Sequence, residues 1–216
     1  MWRRQPGWLE RTAGRLLRSP GLARALLTTP SLLLPWLLTS IVVLAAGAAA
    51  TTDSGQPLVA LLAPALAAAA IAYSYGPGID PAWELACSMA VSDRMVLLVR
   101  ALAVFAVNAV LGLAASVASV SGAAGGTAAA VTFGWLIPMT AVCAFALAVA
   151  TVARSANAGA AAGVAGWLII VLSGRVASGQ FAAAVTDTVL FLPYLAIGAG
   201  CVTVALYATR IPRGTL

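Results

Sequence analysis

The sequence contains no histidine and no lysine, and only six acidic residues in a chain of 216. Each shortage removes a class of chemistry. Without histidine there is no H-E-x-x-H zinc site and no histidine-based serine or rhomboid-type dyad. Without lysine there is no Walker A loop, so the chain does not bind ATP in that way itself. Carboxylates are missing from the long apolar runs. Asp53 and Asp187 fall at the ends of runs, and Glu10, Asp80, Glu84 and Asp93 fall in polar stretches between or before them. Proton- and ion-driven carriers place ionisable residues within their spans, where such groups are expensive and therefore functional. A secondary carrier is accordingly disfavoured, and a transporter of this composition draws its energy from a partner. Cysteine is also scarce. Cys87, Cys143 and Cys201 stand far apart and read as small hydrophobes rather than as metal ligands or a redox pair. No cofactor or metal is expected on this chain, and no enzymatic activity of its own.

What is there is apolar. Hydrophobic residues make up 62% of the chain and charged residues 8%, against about 25% charged in a soluble domain; the mean hydropathy is +1.01. This composition belongs to an integral membrane protein. A span needs about 20 mainly apolar residues, and six stretches qualify, roughly 31–51, 57–75, 96–120, 128–152, 157–174 and 187–208. The expected fold is an all-α, polytopic membrane protein with six transmembrane helices, read as a single domain over 1–216. The connections are short, "TTDSGQP", "SGAAGGT", "RSANA" and "GRVASGQFAAAVTD", apart from residues 76–95.

Arginine placement sets the orientation. With a cytoplasmic N-terminus, Arg3, Arg4, Arg11, Arg15, Arg18, Arg24, Arg94, Arg100, Arg154, Arg210 and Arg213 all fall inside, and Arg175 alone falls outside. Both termini are then cytoplasmic and the protein sits multi-pass in the cell membrane. Ahead of the first span, residues 6–27 form an amphipathic pattern. Trp8, Leu9, Thr12, Ala13, Leu16 and Leu17 share one face at 100° per residue; Glu10, Arg11, Arg15 and Arg18 share the other. That is an interfacial helix lying on the bilayer, with Trp8 as anchor and Arg11, Arg15 and Arg18 toward anionic headgroups. Ser19-Pro20-Gly21 breaks or bends it. Arginines running to Arg24 and the lack of a convincing cleavage site argue against a cleaved signal peptide.

"DPAWELACSMAVSDR", residues 80–94, carries Asp80, Glu84, Asp93 and Arg94 between two long apolar runs. Asp80 is a helix-capping residue and Pro81 suits the first helical position. Ser92 can cap the next helix, which then runs unbroken through Met95 and Arg100 into the third span. Arg100 is expected to snorkel to the inner interface. Asn108 lies eight residues beyond it, about 12 Å deeper along a helix. An amide at that depth needs a partner, either on a neighbouring helix or on a substrate. In the fifth span Gly159 and Gly163, with Ala162 and Gly166 in parallel, have the spacing that lets helices approach closely. Pro138 and Pro193 are expected to bend the fourth and sixth helices. In the outer segment before the last span, Arg175 and Asp187 could pair.

"DPAWELACSMAVSDRMVLLVRALAVF", together with six spans and an amphipathic N-terminal helix, resembles the permease subunit of type-2 class ABC exporters. It matches the D-P-x-x-E-L-A … R-x-x-L-L-x-R-x-L pattern of small, actinobacterial-type permeases. It departs from the pattern in carrying Ile79 where a second acidic residue is frequent, and Asp93 where a proline or neutral residue is common. The resemblance implies that residues 6–27 are the connecting helix and 80–91 the coupling helix that docks on a separate ATPase subunit. The docking residues would then be Asp80, Pro81, Trp83, Glu84, Leu85, Met89, Ser92, Asp93 and Arg94. It also implies a second copy of the chain completing the transport unit, and no nucleic-acid partner. The alternative is a non-transporting membrane scaffold or regulator that holds a cytoplasmic partner. An uncharged pathway rich in Ala, Leu and Val suits amphipathic drugs, lipids or peptides equally.

Overall fold

The computed structural model describes residues 30–54, 56–75, 93–120, 134–179 and 190–209. The expected helices at 6–27 and 80–91 lie outside these residues. The described chain forms six α-helices: α1 (Pro30–Ser54), α2 (Leu58–Ala72), α3 (Asp93–Val120), α4 (Leu136–Val152), α5 (Ala156–Ser178) and α6 (Phe191–Ala208). A 3₁₀ turn, Tyr73–Tyr75, continues α2. No strand occurs among the described residues. Five helices are long and apolar enough to cross a membrane, and α4 is a shorter apolar helix.

The helix ends explain themselves locally. α1 continues past the expected end of its span and takes in the first four residues of "TTDSGQP". The hydroxyls of the last turn bond back into the helix and so find acceptors of their own. Thr51 donates to the Gly47 carbonyl at 2.7 Å and Ser54 to the Ala50 carbonyl at 2.7 Å. Ser54 Oγ then accepts from the Gln56 N–H at 3.3 Å, closing the turn into α2. α4 ends in a Schellman-type closure, with the Ser155 N–H donating to the Ala150 carbonyl at 3.1 Å. Arg154 takes the left-handed position that such a closure requires, at φ 53°. Ser155 serves again at once as the N-cap of α5, its hydroxyl accepting from the Ala158 N–H at 3.3 Å. α5 closes on Gly179 at φ 74°, whose N–H reaches the Arg175 carbonyl. The Arg175 guanidinium donates back to the Gly179 carbonyl; Asp187, its expected partner, lies outside the described residues.

The expected bends at Pro138 and Pro193 fall beside segments outside the described residues, and what is described is where each proline sits in its helix. Pro138 is the third residue of α4 and Pro193 the third of α6. The first-turn amides of a helix have no acceptor within it, so a proline there removes no bond from that helix; ahead of α4, Gly134 is helical and Trp135 forms a turn. Pro64 sits in the interior of α2 and is buried.

α2 and α4 form the centre. α2 packs against α1, α3, α4 and α5, and α4 against α2, α5 and α6. α1 also packs on α3. The centre is built from small side chains: Ala63, Ala67 and Ala68 of α2 face Ala146 and Ala150 of α4 in one buried cluster. The small-residue spacing of α5 is used there. A methyl on Gly159 would lie 2.5 Å from Ala150 Cβ, and one on Gly163 would lie 2.7 Å from Ala146 Cβ and 3.0 Å from Ala68 Cβ. Gly166, in parallel, faces the Phe145 ring. In a bilayer, where lipid is as apolar as leucine, close packing of this kind holds helices together. A cross-helix hydrogen bond adds to it: Trp167 of α5 donates its indole N–H to the Leu61 carbonyl of α2 at 2.7 Å.

α4 is almost wholly enclosed. Eleven of its seventeen residues are buried, and at about 1.5 Å per residue it spans roughly 25 Å, short of a hydrocarbon core of about 30 Å. The outer faces of α1, α3, α5 and α6 carry large exposed hydrophobics, among them Val42, Leu102, Ile169 and Leu192.

Candidate functional site on the buried face of the third helix

α3 is one unbroken helix of 28 residues, about 42 Å long. It starts at Asp93, within the polar stretch, and runs through Arg100 and Asn108 to Val120. The expectation of a continuous helix from that stretch into the third span is met along its described length.

The distribution of side chains around α3 is the reverse of a water-soluble helix. Its buried side carries Arg100, Asn108, Gly112, Ser116 and Ser119. Its exposed side carries Leu98, Leu102, Val107, Val110 and Val117. Positions 108, 112, 116 and 119 recur every three to four residues and so align on one face. A helix that hides its polar groups and exposes Leu and Val suits a lipid surround. Arg100, expected to snorkel, is instead buried at 9% exposure. It lies on the helix that packs against the 3₁₀ turn of Tyr73–Tyr75.

Asn108 is 2% exposed. Its Nδ2 donates to the Val104 carbonyl of its own helix at 2.8 Å, and its Oδ1 is buried without a hydrogen-bond partner in the protein. The amide therefore does not tie α3 to another helix. Ser119 likewise bonds its own helix, donating to the Ser116 carbonyl at 2.8 Å. One turn beyond Asn108, Gly112 accommodates the Trp135 ring: a methyl there would lie 2.5 Å from Trp135 Cη2. Trp135, just before α4, is fully buried, and its Nε1 also has no partner in the protein. Other buried polar atoms without partners are the Trp36 indole nitrogen and the hydroxyls of Ser40 and Ser74.

At the end of the bundle where α2 finishes and α5 begins, the Tyr73 hydroxyl donates to Asn157 Oδ1 at 3.1 Å. This pair and the Arg154 turn stand on the same end as the 3₁₀ turn, against which α3, α4 and α5 pack.

Of the site residues expected from the sequence, Asn108 is fully described. Asp93 and Arg94 are placed as the first two residues of α3. Trp8, Arg11, Arg15 and Arg18, and Asp80, Pro81, Trp83, Glu84, Leu85, Met89 and Ser92, lie outside the described residues. Cys143 is buried and Cys201 half-buried, both as isolated thiols, in keeping with a packing role; Cys87 lies outside the described residues. No group of three metal-ligating side chains occurs among the described residues. Trp135 and Gly112 escaped sequence reasoning. The three- and four-residue spacing of Gly112, Ser116 and Ser119 from Asn108 is the signal that could have found the stripe, whereas the seating of Trp135 on it joins two separate segments of the chain.

No protein-family model matches this sequence, and no curated protein and no solved structure shows significant similarity to it.

Proposed function

We propose that the chain is the transmembrane subunit of an ATP-driven ABC exporter, working as a homodimer with a separate ATPase subunit. The observation that supports this reading best is the single helix α3. It begins inside the polar stretch Asp80–Arg94 and continues for 28 residues. The end of α2 that enters this stretch, the Tyr73–Tyr75 turn, packs against the same α3. A force applied to residues 80–91 by a docked partner would therefore act at once on two helices that touch. Because α3 is unbroken, it would tilt as a rod rather than flex.

On this reading residues 80–91 are the coupling helix and 6–27 the connecting helix. Both termini and the Arg154 turn are cytoplasmic, as the arginine asymmetry requires. The absence of histidine and lysine, and of carboxylates from the apolar runs, agrees with an energy supply from the partner. α4 is enclosed by its own protomer, so the wall of a shared pathway falls to helices with free faces, and a second copy related by C₂ symmetry supplies the other half.

The test is affinity purification of the tagged chain from its native membrane, followed by an ATPase assay. The expected result is co-purification of a Walker A protein with two copies of each subunit and transport-linked hydrolysis. A stable cytoplasmic partner without ATP turnover would support the scaffold reading instead.

A further inference from the structure

We propose that α2 carries a hinge at Pro64 which α5 holds shut from both sides, with the exposed Tyr73–Asn157 hydrogen bond as its latch. The inference concerns contacts within one chain and stands apart from the ATPase reading.

Pro64 lies inside α2. It has no N–H to give the Ala60 carbonyl, so the helix lacks one of its own bonds at that level. Helices bend at breaks of this kind. α5 touches α2 on both sides of the break. Before it, Trp167 donates its indole N–H to the Leu61 carbonyl at 2.7 Å. One turn after it, Gly163 faces Ala68, and a methyl on Gly163 would lie 3.0 Å from Ala68 Cβ. Where α2 ends, the Tyr73 hydroxyl donates to Asn157 Oδ1 at 3.1 Å. Positions 61, 68 and 73 of one helix thus meet 167, 163 and 157 of the other. The two run antiparallel, and α5 lies along α2 as a splint across the proline.

The two bonds differ in their surroundings. Trp167 is 1% exposed and Tyr73 49%. A hydrogen bond in an apolar interior has no competitor, whereas water competes for an exposed one. The Tyr73 bond therefore opens first. Its opening lets residues 65–75 swing about Pro64, while Trp167 keeps the stretch around Leu61 against α5. Residues 76–91 then connect an unbroken helix, α3, to a hinged one, α2.

The test is hydrogen exchange of the full chain in lipid nanodiscs, read by mass spectrometry. Pro64 has no amide and divides the α2 amides into 61–63 and 65–75. A hinge raises exchange on one side only, because it is a local opening. Tyr73→Phe removes the donor of the latch and Asn157→Ala its acceptor. Each is expected to speed exchange in 65–75 about fivefold and to leave 61–63 unchanged. The two together should do no more than either alone. Pro64→Ala restores the amide that bonds Ala60, and added to Tyr73→Phe it is expected to return exchange to the rate of the unmodified chain. An equal rise on both sides of Pro64 would overturn the proposal, since it marks a helix that is simply less stable. So would no rise on either side, or a rise that Pro64→Ala leaves in place.

Discussion

Trp167 donates its indole N–H to the carbonyl of Leu61, joining α5 to α2 at 2.7 Å. Pro64, three residues on from Leu61, lies inside α2 and has no N–H to offer the Ala60 carbonyl. The indole thus braces the stretch of α2 where the helix's own bonding is interrupted. Trp167→Phe keeps most of the packing and removes the bond, so a loss of about 1 kcal/mol is expected. Trp167→Ala, which also opens a cavity, is expected to lose about 3–5 kcal/mol. Thermal or denaturant unfolding in one detergent ranks the two; equal losses would show that the hydrogen bond, not the ring, carries the contact.

The α4–α5 seam makes a sharper demand on size. Gly159→Ala and Gly163→Ala would each place a methyl within 2.5 to 2.7 Å of an alanine Cβ on α4. Neither neighbour can rotate away, so the helices must separate. Overpacking of this kind costs about 1–3 kcal/mol. Gly200→Ala, where nothing lies within 4 Å, is the matched control and is expected to be neutral or slightly stabilising. Unfolding midpoints of the three single variants decide the matter.

Arg154 holds a left-handed backbone at φ 53°, a conformation that costs an ordinary L-residue about 1 kcal/mol or more. Arg154→Gly is expected to gain stability by up to about 1 kcal/mol, offset in part by the entropy of the glycine in the unfolded chain. Arg154→Asn should fall between them, and Arg154→Val should lose stability. The order Gly, Asn, Arg, Val in unfolding midpoint is the outcome to look for; Val equal to Arg would contradict the strained turn.

The same residue tests orientation. In a cysteine-free background, Asp53→Cys should react with a membrane-impermeant thiol reagent from outside the cell, and Arg154→Cys only after the membrane is opened. The basis is the eleven-to-one distribution of the arginines. Labelling of position 154 from outside in intact cells would reverse the topology.

The sequence carries the helices more openly than their roles. Apolar runs of span length announced five of the six helices to within a few residues, because length and composition alone decide whether a segment can cross a bilayer. The fourth run suggested a span over 128–152, and the described helix begins at Leu136. Composition could not separate α4, central and enclosed, from lipid-facing neighbours of the same hydrophobicity. Pro138 and Pro193 sit in the first turns of the described helices, and their distance from the helix start could not be read from an apolar run without a boundary. Gly159 and Gly163 were legible because close approach demands small residues at fixed spacing. Trp135 against Gly112, and Trp167 on Leu61, join positions far apart in the chain, and no local pattern announces them. Asn108 stood out as a buried amide. That it would bond its own helix and keep an acceptor free depends on side-chain rotation.

The central claim rests on residues 80–91 passing force from an ATPase into α3. The most direct measurement is the amount of ATPase retained per molecule of purified chain in Trp83→Ala and Ala86→Arg, with the hydrolysis rate of the retained complex. Buried aromatic anchors commonly dominate an interface, with truncations losing about 2 kcal/mol or more, so Trp83→Ala is expected to release most of the ATPase or to abolish transport-linked hydrolysis. Ala86→Arg should do the same by bulk and charge. Asp93→Ala should weaken activity less, since rim charges tune rate and specificity. Membrane insertion should be intact in all three, because the substituted positions lie outside the apolar runs. Full retention of the ATPase and of its activity in both Trp83→Ala and Ala86→Arg would contradict the account.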